Sequence, residues 1–299
     1  MITSLQAKTA PMKILVLGAT GMLGHVMFRV LSEQPSVQVY GTLRNYDSRR
    51  HFEPSLAAQM VQVDDLENQV NLVRLFESLK PQVVVNCTSL AKSMLIDPIR
   101  TISLFSLLPH RLAHLCRLHG ARLIQISSDG VFSGSTGRYR EDDLPDATDF
   151  YGKAKYLGEV SEPHVITLRT SIIGPELSGC SGLLGWFLSQ QEQCRCYTRS
   201  IFSGLPTVVL AQIIRDAVIP RPNLYGVYHL AAKPISKFDL LALIAKRYRK
   251  RITMVPDDTV VIDRSLLAEK FTQATGYAPP DWPELVDSMY LYQSNQSSS

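Results

Sequence analysis

The chain has 299 residues, of which 45% are hydrophobic and 19% are charged, and its formal net charge is +4. This composition excludes an intrinsically disordered chain, and the length is sufficient for a large buried core in one or two domains. No stretch approaches the ~20 consecutive apolar residues that a membrane-spanning helix requires. A folded protein with neither a membrane nor a nucleic acid as its partner is therefore expected.

The two ends and the cysteines indicate where such a chain would work. Residues 1–11 and 293–299 are predicted to be flexible tails, and the first of them lacks the apolar segment of a signal peptide. The five cysteines are odd in number and scattered along the chain. We therefore expect reduced thiols and a cytoplasmic location.

Two patterns that could carry other chemistry have simpler interpretations. His110 and His114 are spaced to share a helix face, but no third ligand accompanies them, so no metal site is predicted. The basic run at residues 246–251 is interpreted as a solvated helix end, where cations favour the negative end of the dipole.

In chain order, the first informative segment is a glycine-rich turn. Residues 13–17 are mostly apolar and lead into Gly18, Gly21 and Gly24, after which an amphipathic run begins. This pattern predicts a buried parallel strand, a tight turn and the start of a helix. Glycine permits positive φ and close backbone approach, and a helix N-terminus favours a phosphate. An ordinary strand-to-helix turn is the alternative, but the context predicts a site for a dinucleotide pyrophosphate.

The second strand, at residues 37–41, bears on which dinucleotide is bound. In dinucleotide-binding folds an acidic residue near this point contacts the adenosine ribose hydroxyls. This chain has no Asp or Glu between Glu33 and Asp47, and Arg44 follows the strand instead. A guanidinium matches a phosphate in a bidentate geometry. NADP(H) is therefore predicted, with Arg44 as the leading contact to the 2′-phosphate.

Further strands are predicted at residues 60–66, 81–88, 122–129 and 165–175. Alternating with helices, they predict an α/β fold with a Rossmann-like, doubly wound parallel sheet. Their carboxyl ends would bring Asp65 and Leu66 to the adenine, residues 86–89 to the cofactor, and Lys92 to a substrate. After Pro175 the alternation stops.

This break divides the chain into two parts. Residues 12–175 are predicted to form the dinucleotide-binding domain, to which residues 205–232 return. Residues 176–204 and 233–292 are predicted to form a smaller, discontinuous substrate-binding lobe.

The fifth strand runs into Ser127, Ser128 and Asp129, and Tyr151 and Lys155 follow in a helical segment, four residues apart. An ammonium group near a phenol favours the phenolate and so lowers the pKa of the tyrosine. Such a tyrosine can give a proton to a carbonyl oxygen or take one from an alcohol. The segment therefore predicts acid–base chemistry beside the cofactor.

Four motifs together resemble the extended short-chain dehydrogenase/reductase superfamily: Gly18-x-x-Gly21-x-x-Gly24, Ser127-Ser128-Asp129-x-Val131-Phe132, Tyr151-x-x-x-Lys155 and Leu168-Arg169-Thr170-Ser171. Segments at 226–232, 236–238 and 275–280 resemble its branch of dTDP-4-dehydrorhamnose reductase and related sugar-nucleotide reductases. The resemblance covers about residues 12–290.

The resemblance implies that Tyr151 is the general acid, that Lys155 tunes it and binds the nicotinamide ribose, and that Ser128 bonds the substrate carbonyl. It implies hydride transfer from NADPH to the 4-keto group of a nucleotide-linked 6-deoxyhexose, as in deoxysugar and polysaccharide biosynthesis. A homodimer is one possible assembly, and the sequence leaves the oligomeric state open. The cofactor set is Gly18, Thr20, Gly21, Met22, Leu23, Arg44, Asp65, Leu66, Cys87, Thr88, Ser89, Tyr151 and Lys155. The substrate set is Lys92, Ser128, Asp129, Ser171 and Thr207.

Two departures from this family pattern leave alternatives open. Gly130 stands where relatives usually carry a side chain, and Phe105 stands where they commonly carry an asparagine. A 4,6-dehydratase would need an acidic residue after Asp129, and a 4-epimerase would hold NAD, which Arg44 disfavours. A regulatory subunit that binds the cofactor without turnover is the third alternative; Phe105 and Gly130 favour it, and the intact Ser128, Tyr151 and Lys155 oppose it.

Overall fold

The structure is a computed structural model that describes residues 10–90 and 97–297. The strands are β1 (Met12–Leu17), β2 (Val37–Leu43), β3 (Met60–Gln62), β4 (Val83–Asn86), β5 (Arg122–Ile126), β6 (Val165–Arg169), β7 (Ile172–Ile173), β8 (Gln193–Tyr197), β9 (Ser200–Phe202), β10 (Leu205–Pro206), β11 (Gly226–His229), β12 (Ile235–Ser236), β13 (Thr253–Asp257) and β14 (Ile262–Asp263). The α-helices are α1 (Gly24–Ser32), α2 (Pro54–Ala57), α3 (Gln69–Leu79), α4 (Pro98–Ile102), α5 (Leu108–His119), α6 (Phe150–Leu157), α7 (Leu183–Ser189), α8 (Thr207–Ile213), α9 (Lys237–Arg247), α10 (Glu269–Thr275) and α11 (Trp282–Ser297).

Seven strands form the central sheet, in the order β11-β6-β5-β4-β1-β2-β3, and all of their pairings are parallel. The strand order reverses at β1, where β4 lies on one side and β2 on the other. A ligand crevice is expected at such a reversal, outside the carboxyl ends of the strands. The prediction of a Rossmann-like, doubly wound α/β fold is confirmed.

Side chains alternate between the two faces of this sheet and build a core on each. Along β1, Ile14 and Val16 pack on one face with α1, α8, α9 and α11, while Leu15 and Leu17 pack on the other with α3, α5 and α6. Because both faces are covered, the strands need apolar residues at nearly every position. The uninterrupted run Val83-Val84-Val85 of β4 meets this requirement.

The second half contributes smaller sheets beside the carboxyl ends of the main strands. β8 pairs with β13 in parallel, and β9 lies between β12 and β14. β11 returns to the edge of the main sheet, next to β6. In the described ranges, 10–90 and 97–297, no helix is both long and apolar enough to cross a bilayer.

Three elements differ from their sequence predictions. The strand expected at residues 165–175 is split, because β7 leaves the main sheet and pairs with β10. The long helix consists of α4, a π-helical turn at Ser103–Leu107 and α5. The polar end expected to be a tail from residue 293 is helical to Ser297, and the hydroxyl of Tyr248 donates to Gln293 Oε1 at 3.1 Å.

Candidate functional site

The glycine turn between β1 and α1 is shaped for close approach to its backbone. Gly18 has a φ of +73°, and a Cβ there would lie 3.1 Å from the carbonyl oxygen of Cys87. A Cβ at Gly24 would overlap the Gly18 carbonyl oxygen, so α1 can begin directly beside the turn only with glycine. The first turn of a helix also leaves unpaired N–H groups and a positive dipole end. The turn therefore fits the pyrophosphate of a dinucleotide.

His25, at the start of α1, supports this turn from the protein interior. Its Nδ1 lies 2.9 Å from the carbonyl oxygen of Gly21, which also accepts from the His25 backbone N–H at 3.0 Å. Burial lowers the pKa of His25 to about 4, so the ring is neutral at pH 7. We assign the proton to Nδ1 because that nitrogen faces an acceptor. The sequence analysis missed this residue because a histidine after a glycine turn belongs to no motif.

The predicted adenosine contacts lie at the carboxyl ends of β2 and β3. Arg44 follows β2 and is exposed, while Asp65 is exposed and Leu66 half-buried in the segment after β3. β2 is tied to the glycine turn because the backbone N–H of Gly18 donates to Thr42 Oγ1 at 3.0 Å. Arg44 therefore lies at the same sheet edge as the turn, one strand away.

The two arginines that follow have different surroundings. The Arg49 guanidinium lies 4.2 Å from the ring centroid of Tyr46 and donates to the carbonyl of Met60, so its role is structural. Arg50 is exposed. Arg44 and Arg50 are thus the guanidinium groups at this edge that a phosphate could recruit without breaking a structural contact.

Ser128 follows β5 and lines the site, and its hydroxyl is already hydrogen-bonded within the protein. Its Oγ accepts from the backbone N–H of Gly130 at 2.9 Å and donates to Asp129 Oδ1 at 3.2 Å. Burial raises the pKa of Asp129 to about 6, against the opposing charge of Arg264. Donation from Ser128 to a substrate oxygen therefore requires its proton to turn away from Asp129. A Cβ at Gly130 would lie 3.1 Å from both Ser128 Oγ and Tyr151 Cε1, so a larger residue would crowd the pair.

Tyr151 and Lys155 lie one helical turn apart on α6. The helix is capped by Asp149, whose side chain accepts from the backbone N–H of Gly152 at 2.8 Å. The Lys155 ammonium donates to the carbonyl oxygen of Ile126, at the end of β5, at 2.7 Å. This bond fixes the cation beside the strand end that leads to Ser128.

The spacing predicted that Lys155 lowers the pKa of Tyr151, and this prediction is wrong. Burial raises the pKa of Tyr151, and its hydrogen bond with Ser128 opposes the rise only in part. Burial also lowers the pKa of Lys155 to about 8, partly offset by the charge of Glu159. The ammonium is committed to the Ile126 carbonyl instead of the phenol. At pH 7 Tyr151 is therefore a neutral proton donor and Lys155 is mainly cationic.

Phe105 packs against both of these residues. Its ring lies edge-on to Tyr151, and Lys155 Nζ is 5.1 Å from its centroid. The π-helical turn at Ser103–Leu107 presents this ring, and such turns are frequent at functional sites. The site therefore has an apolar side where the family pattern predicted a polar group.

A cavity of about 990 Å³ connects the glycine turn with these residues. This is the upper end of the ~300–1,000 Å³ typical of ligand pockets. The predicted site residues that line it are Thr20, Gly21, Met22, Leu23, Cys87, Thr88, Ser89, Ser128, Tyr151, Lys155 and Ser171. The structure thus brings the predicted cofactor and acid–base residues to one space.

The other predicted substrate residues are placed differently. Asp129 lies behind Ser128 and Ser171, which hydrogen-bond its carboxylate. Thr207 is buried at the start of α8 and does not line the cavity, because Gly174 packs directly against its side chain. The structure therefore places Thr207 outside the cavity wall, although a substrate contact was expected. Lys92 lies outside the described residues.

The far wall of the cavity comes from the second half of the chain, and the sequence analysis did not find it. It includes Glu176, Trp186, Arg195, Tyr197 and Lys237. In β8, buried and exposed residues alternate, and this alternation places Arg195 and Tyr197 on one face. The alternation along β8 is visible in the sequence. Its pairing with β13 determines which of its two faces meets the cavity. The wall thus carries two cations, Arg195 and Lys237, beside the Glu176 carboxylate, and Arg195 also pairs with Asp257 at 3.8 Å.

The remaining candidates have structural roles. His110 Nε2 lies 2.8 Å from the carbonyl of Leu157, and His114 pairs with Arg117. Across residues 10–90 and 97–297 no group of three or more metal-ligating side chains is found. In the basic run, Arg247 pairs with Asp287, and the Lys250 ammonium donates to two backbone carbonyls.

The glycine turn, the strand-end serine and the helical Tyr-Lys pair define an extended short-chain dehydrogenase/reductase type of α/β protein. The chain belongs to the RmlD substrate binding domain family, whose model matches residues 12–290. Among curated proteins it is similar to methionine adenosyltransferase 2 subunit beta of Xenopus laevis. The two are 30% identical over 253 residues, which is 79% of this chain and 72% of that protein.

Solved structures with the same fold include two dTDP-4-dehydrorhamnose reductases. The Clostridium acetobutylicum protein superposes with a TM-score of 0.78 at 23% identity, covering 95% of this chain and 100% of that one. The Bacillus anthracis protein, crystallised in complex with NADP, has a TM-score of 0.77 at 19% identity, covering 94% and 99%.

Proposed function

We propose that this protein is an NADPH-dependent reductase of a nucleotide-linked 4-keto-6-deoxyhexose. The observation that carries the proposal is the shared cavity, in which the glycine turn, Ser128, Tyr151 and Lys155 meet. Family membership and the folds of the dTDP-4-dehydrorhamnose reductases support the substrate class. Arg44 and the NADP complex of the Bacillus anthracis protein support the choice of NADP.

In this proposal each residue has a physical task. Tyr151, neutral at pH 7, gives its proton to the carbonyl oxygen that becomes an alcohol. Ser128 donates to the same oxygen once its hydroxyl turns from Asp129. The Lys155 ammonium, held by the Ile126 carbonyl, binds the nicotinamide ribose. The nicotinamide, when bound, supplies the hydride.

The two ends of the cavity complement the two proposed ligands. The glycine turn fits a pyrophosphate, as its close backbone approaches indicate. At the far wall, Arg195 and Lys237 match the diphosphate of a nucleotide sugar, and Trp186 and Tyr197 offer aromatic surfaces to its base.

The test is NADPH oxidation, followed at 340 nm, with a panel of nucleotide-linked 4-keto-6-deoxy sugars. Removing the proton donor in Tyr151→Phe should reduce turnover by about 10²–10⁴-fold. Tyr156→Phe is the matched control, since Tyr156 lies on the same helix but is 43% exposed. Turnover that survives Tyr151→Phe would refute the assigned role of Tyr151.

A second candidate is a cofactor-binding regulatory subunit without turnover. The similarity to methionine adenosyltransferase 2 subunit beta favours it, as does the apolar Phe105 beside Tyr151 and Lys155. Tight NADPH binding with no turnover on any sugar would select this candidate. A sugar-nucleotide epimerase is the third, and it would interconvert sugars without net oxidation of added NADPH.

A further inference from the structure

A buried carboxylate lies directly behind the site. Glu159 follows the end of α6, and its side chain is 6% exposed. Arg169, at the end of β6 and 4% exposed, donates to it twice, from Nε at 2.9 Å and from Nη2 at 2.8 Å. Such a bidentate pair fixes the orientation of both side chains.

The same carboxylate holds the strand end that carries Ser128. Ser127 Oγ donates to Glu159 Oε1 at 2.7 Å. The backbone N–H of Ser127 donates to the carbonyl of Leu168 at 2.8 Å, so this residue is fixed at two points. Any movement of Glu159 would therefore be transmitted to the neighbouring Ser128.

Glu159 also acts on Lys155 through its charge. The Lys155 ammonium contacts the ring of Phe105 and the carbonyl of Ile126, and the charges of Glu159 and Cys87 oppose the lowering of its pKa by burial. Burial raises the pKa of Cys87 to about 12, and the pKa of Tyr151 is raised as well, so both are neutral at physiological pH. Among the described residues that act on this ammonium, Glu159 is thus the anionic group.

Arg169 is itself fixed from the side away from the cavity. Its Nη1 lies 3.3 Å from Nε2 of His229 on β11, and its guanidinium carbon lies 5.1 Å from the ring centroid of Phe132. Burial lowers the pKa of His229 to about 3, so this neighbour is a neutral imidazole. These contacts leave the guanidinium aimed at Glu159.

We propose that Glu159 is a positioning residue of the site: held by Arg169, its carboxylate binds Ser127, and it thereby fixes Ser128 on one side and, on the other, the Ile126 carbonyl that holds the Lys155 ammonium. The inference rests on the proposed function for its catalytic meaning, but the charge state of Lys155 can be measured without turnover. Neither the motifs nor the family comparison assigns this role.

The experiment is an NMR titration of the lysine side-chain nitrogens in the full chain, with the Lys155 signal assigned by its loss in Lys155→Met. In Glu159→Gln the titration midpoint of Lys155 should fall by about one pH unit, because an opposite charge within reach is removed. Glu162→Gln is the matched control, since it removes a nearby carboxylate that contacts neither Ser127 nor Arg169 in the described structure.

Leaving Arg169 unpaired could unfold the protein, so Glu159→Gln/Arg169→Leu is measured alongside, with circular dichroism as the folding check. The midpoint should fall in this folded double variant too, but by less than in Glu159→Gln, because the Arg169 cation is removed together with the Glu159 anion that acts on Lys155. An unchanged midpoint in either folded variant would overturn the inference even if the protein is a reductase. A lowered midpoint without turnover on any sugar would sustain the inference while the proposed function fails.

Discussion

The rings of Phe105 and Tyr151 meet edge to face, with centroids 5.4 Å apart and planes at 90°. This places an apolar surface against the tyrosine that we propose as the proton donor. The same ring lies beside the Lys155 ammonium, and burial shifts the pKa values of both residues towards their neutral forms. Phe105 thus links the structure of the long helix to the chemistry of the site.

We predict that Phe105→Asn will extend NADPH binding to higher pH. Lys155 has a depressed pKa of about 8, so its charge is lost as the pH rises through this value. An amide in place of the ring would solvate the ammonium and raise the pKa of Lys155 by about one unit. The highest pH at which NADPH binds, its alkaline limit, should rise with it. The measurement is NADPH fluorescence titration between about pH 6.5 and about pH 10, a range that spans the expected titration of Lys155.

Phe105→Leu is the matched control for that experiment. Leucine keeps the surroundings of Lys155 apolar, so the alkaline limit of binding should stay near that of the unchanged protein. If both variants shift the alkaline limit of NADPH binding equally, the polarity of the side chain at position 105 does not determine the pKa of Lys155.

The proposed contact between Arg44 and a 2′-phosphate can be tested by comparing NADPH with NADH. Arg44→Ala should weaken NADPH binding by about 10–100-fold and leave NADH binding unchanged, since only NADPH has a 2′-phosphate to bond the guanidinium. Isothermal titration calorimetry with both cofactors provides the comparison. Arg49→Ala is expected instead to lower stability, because its guanidinium packs on Tyr46 and bonds the Met60 carbonyl. Equal losses for the two cofactors in Arg44→Ala would disprove the assignment.

Alanine substitutions at two glycines with left-handed backbone conformation distinguish the cost of backbone strain from the loss of cofactor binding. Gly18 has a φ of +73° and Gly120 a φ of +64°, so alanine at either should cost about 1 kcal/mol of unfolding free energy. A Cβ at Gly120 meets nothing within 4 Å, whereas one at Gly18 presses on the backbone of Cys87 and Thr88. Only Gly18→Ala should therefore also lose NADPH affinity, as fluorescence titration would show. Unaltered affinity in that variant would place the pyrophosphate elsewhere.

The parts of the site that could be predicted from sequence depend on local patterns. The strand, glycine turn and helix at β1 and α1 are contiguous, and Tyr151 and Lys155 lie four residues apart on one helix. The far wall could not be predicted, because Arg195 on β8 reaches the cavity only through pairing with β13, some sixty residues later. The burial of Thr207 could not be predicted for the same reason, because it depends on packing against Gly174, which lies outside its helix.

The direction of the Tyr151 pKa shift could not be predicted from the sequence for a different reason. The spacing from Lys155 correctly placed the two residues on one helix, but the direction of the shift depends on burial and on where the ammonium donates. Phe105 comes from a segment forty-six residues earlier, and Ile126 from another strand. Electrostatic tuning by such non-local neighbours cannot be derived from the spacing of two residues.

The buried histidines predict how stability depends on pH. Burial lowers the pKa of His25 to about 4 and that of His229 to about 3, while in the unfolded chain both titrate near 6.5. Between these values the unfolded state binds more protons than the folded state, so stability falls as the pH falls below about 6.5. Each histidine should remove about 2 kcal/mol of unfolding free energy between about pH 7 and pH 5.

Urea unfolding at these two pH values checks the prediction. His25→Gln and His229→Gln should each show a smaller loss of stability on acidification than the unchanged chain, even if they are less stable at pH 7. His114→Gln is the control for the substitution itself, because His114 is exposed on α5 and lies outside the buried surroundings of His25 and His229. If His25→Gln retains the full acid sensitivity, His25 is protonated in the folded state at pH 5. Its Nδ1 proton would then still bond the Gly21 carbonyl, and the glycine turn would carry a cation.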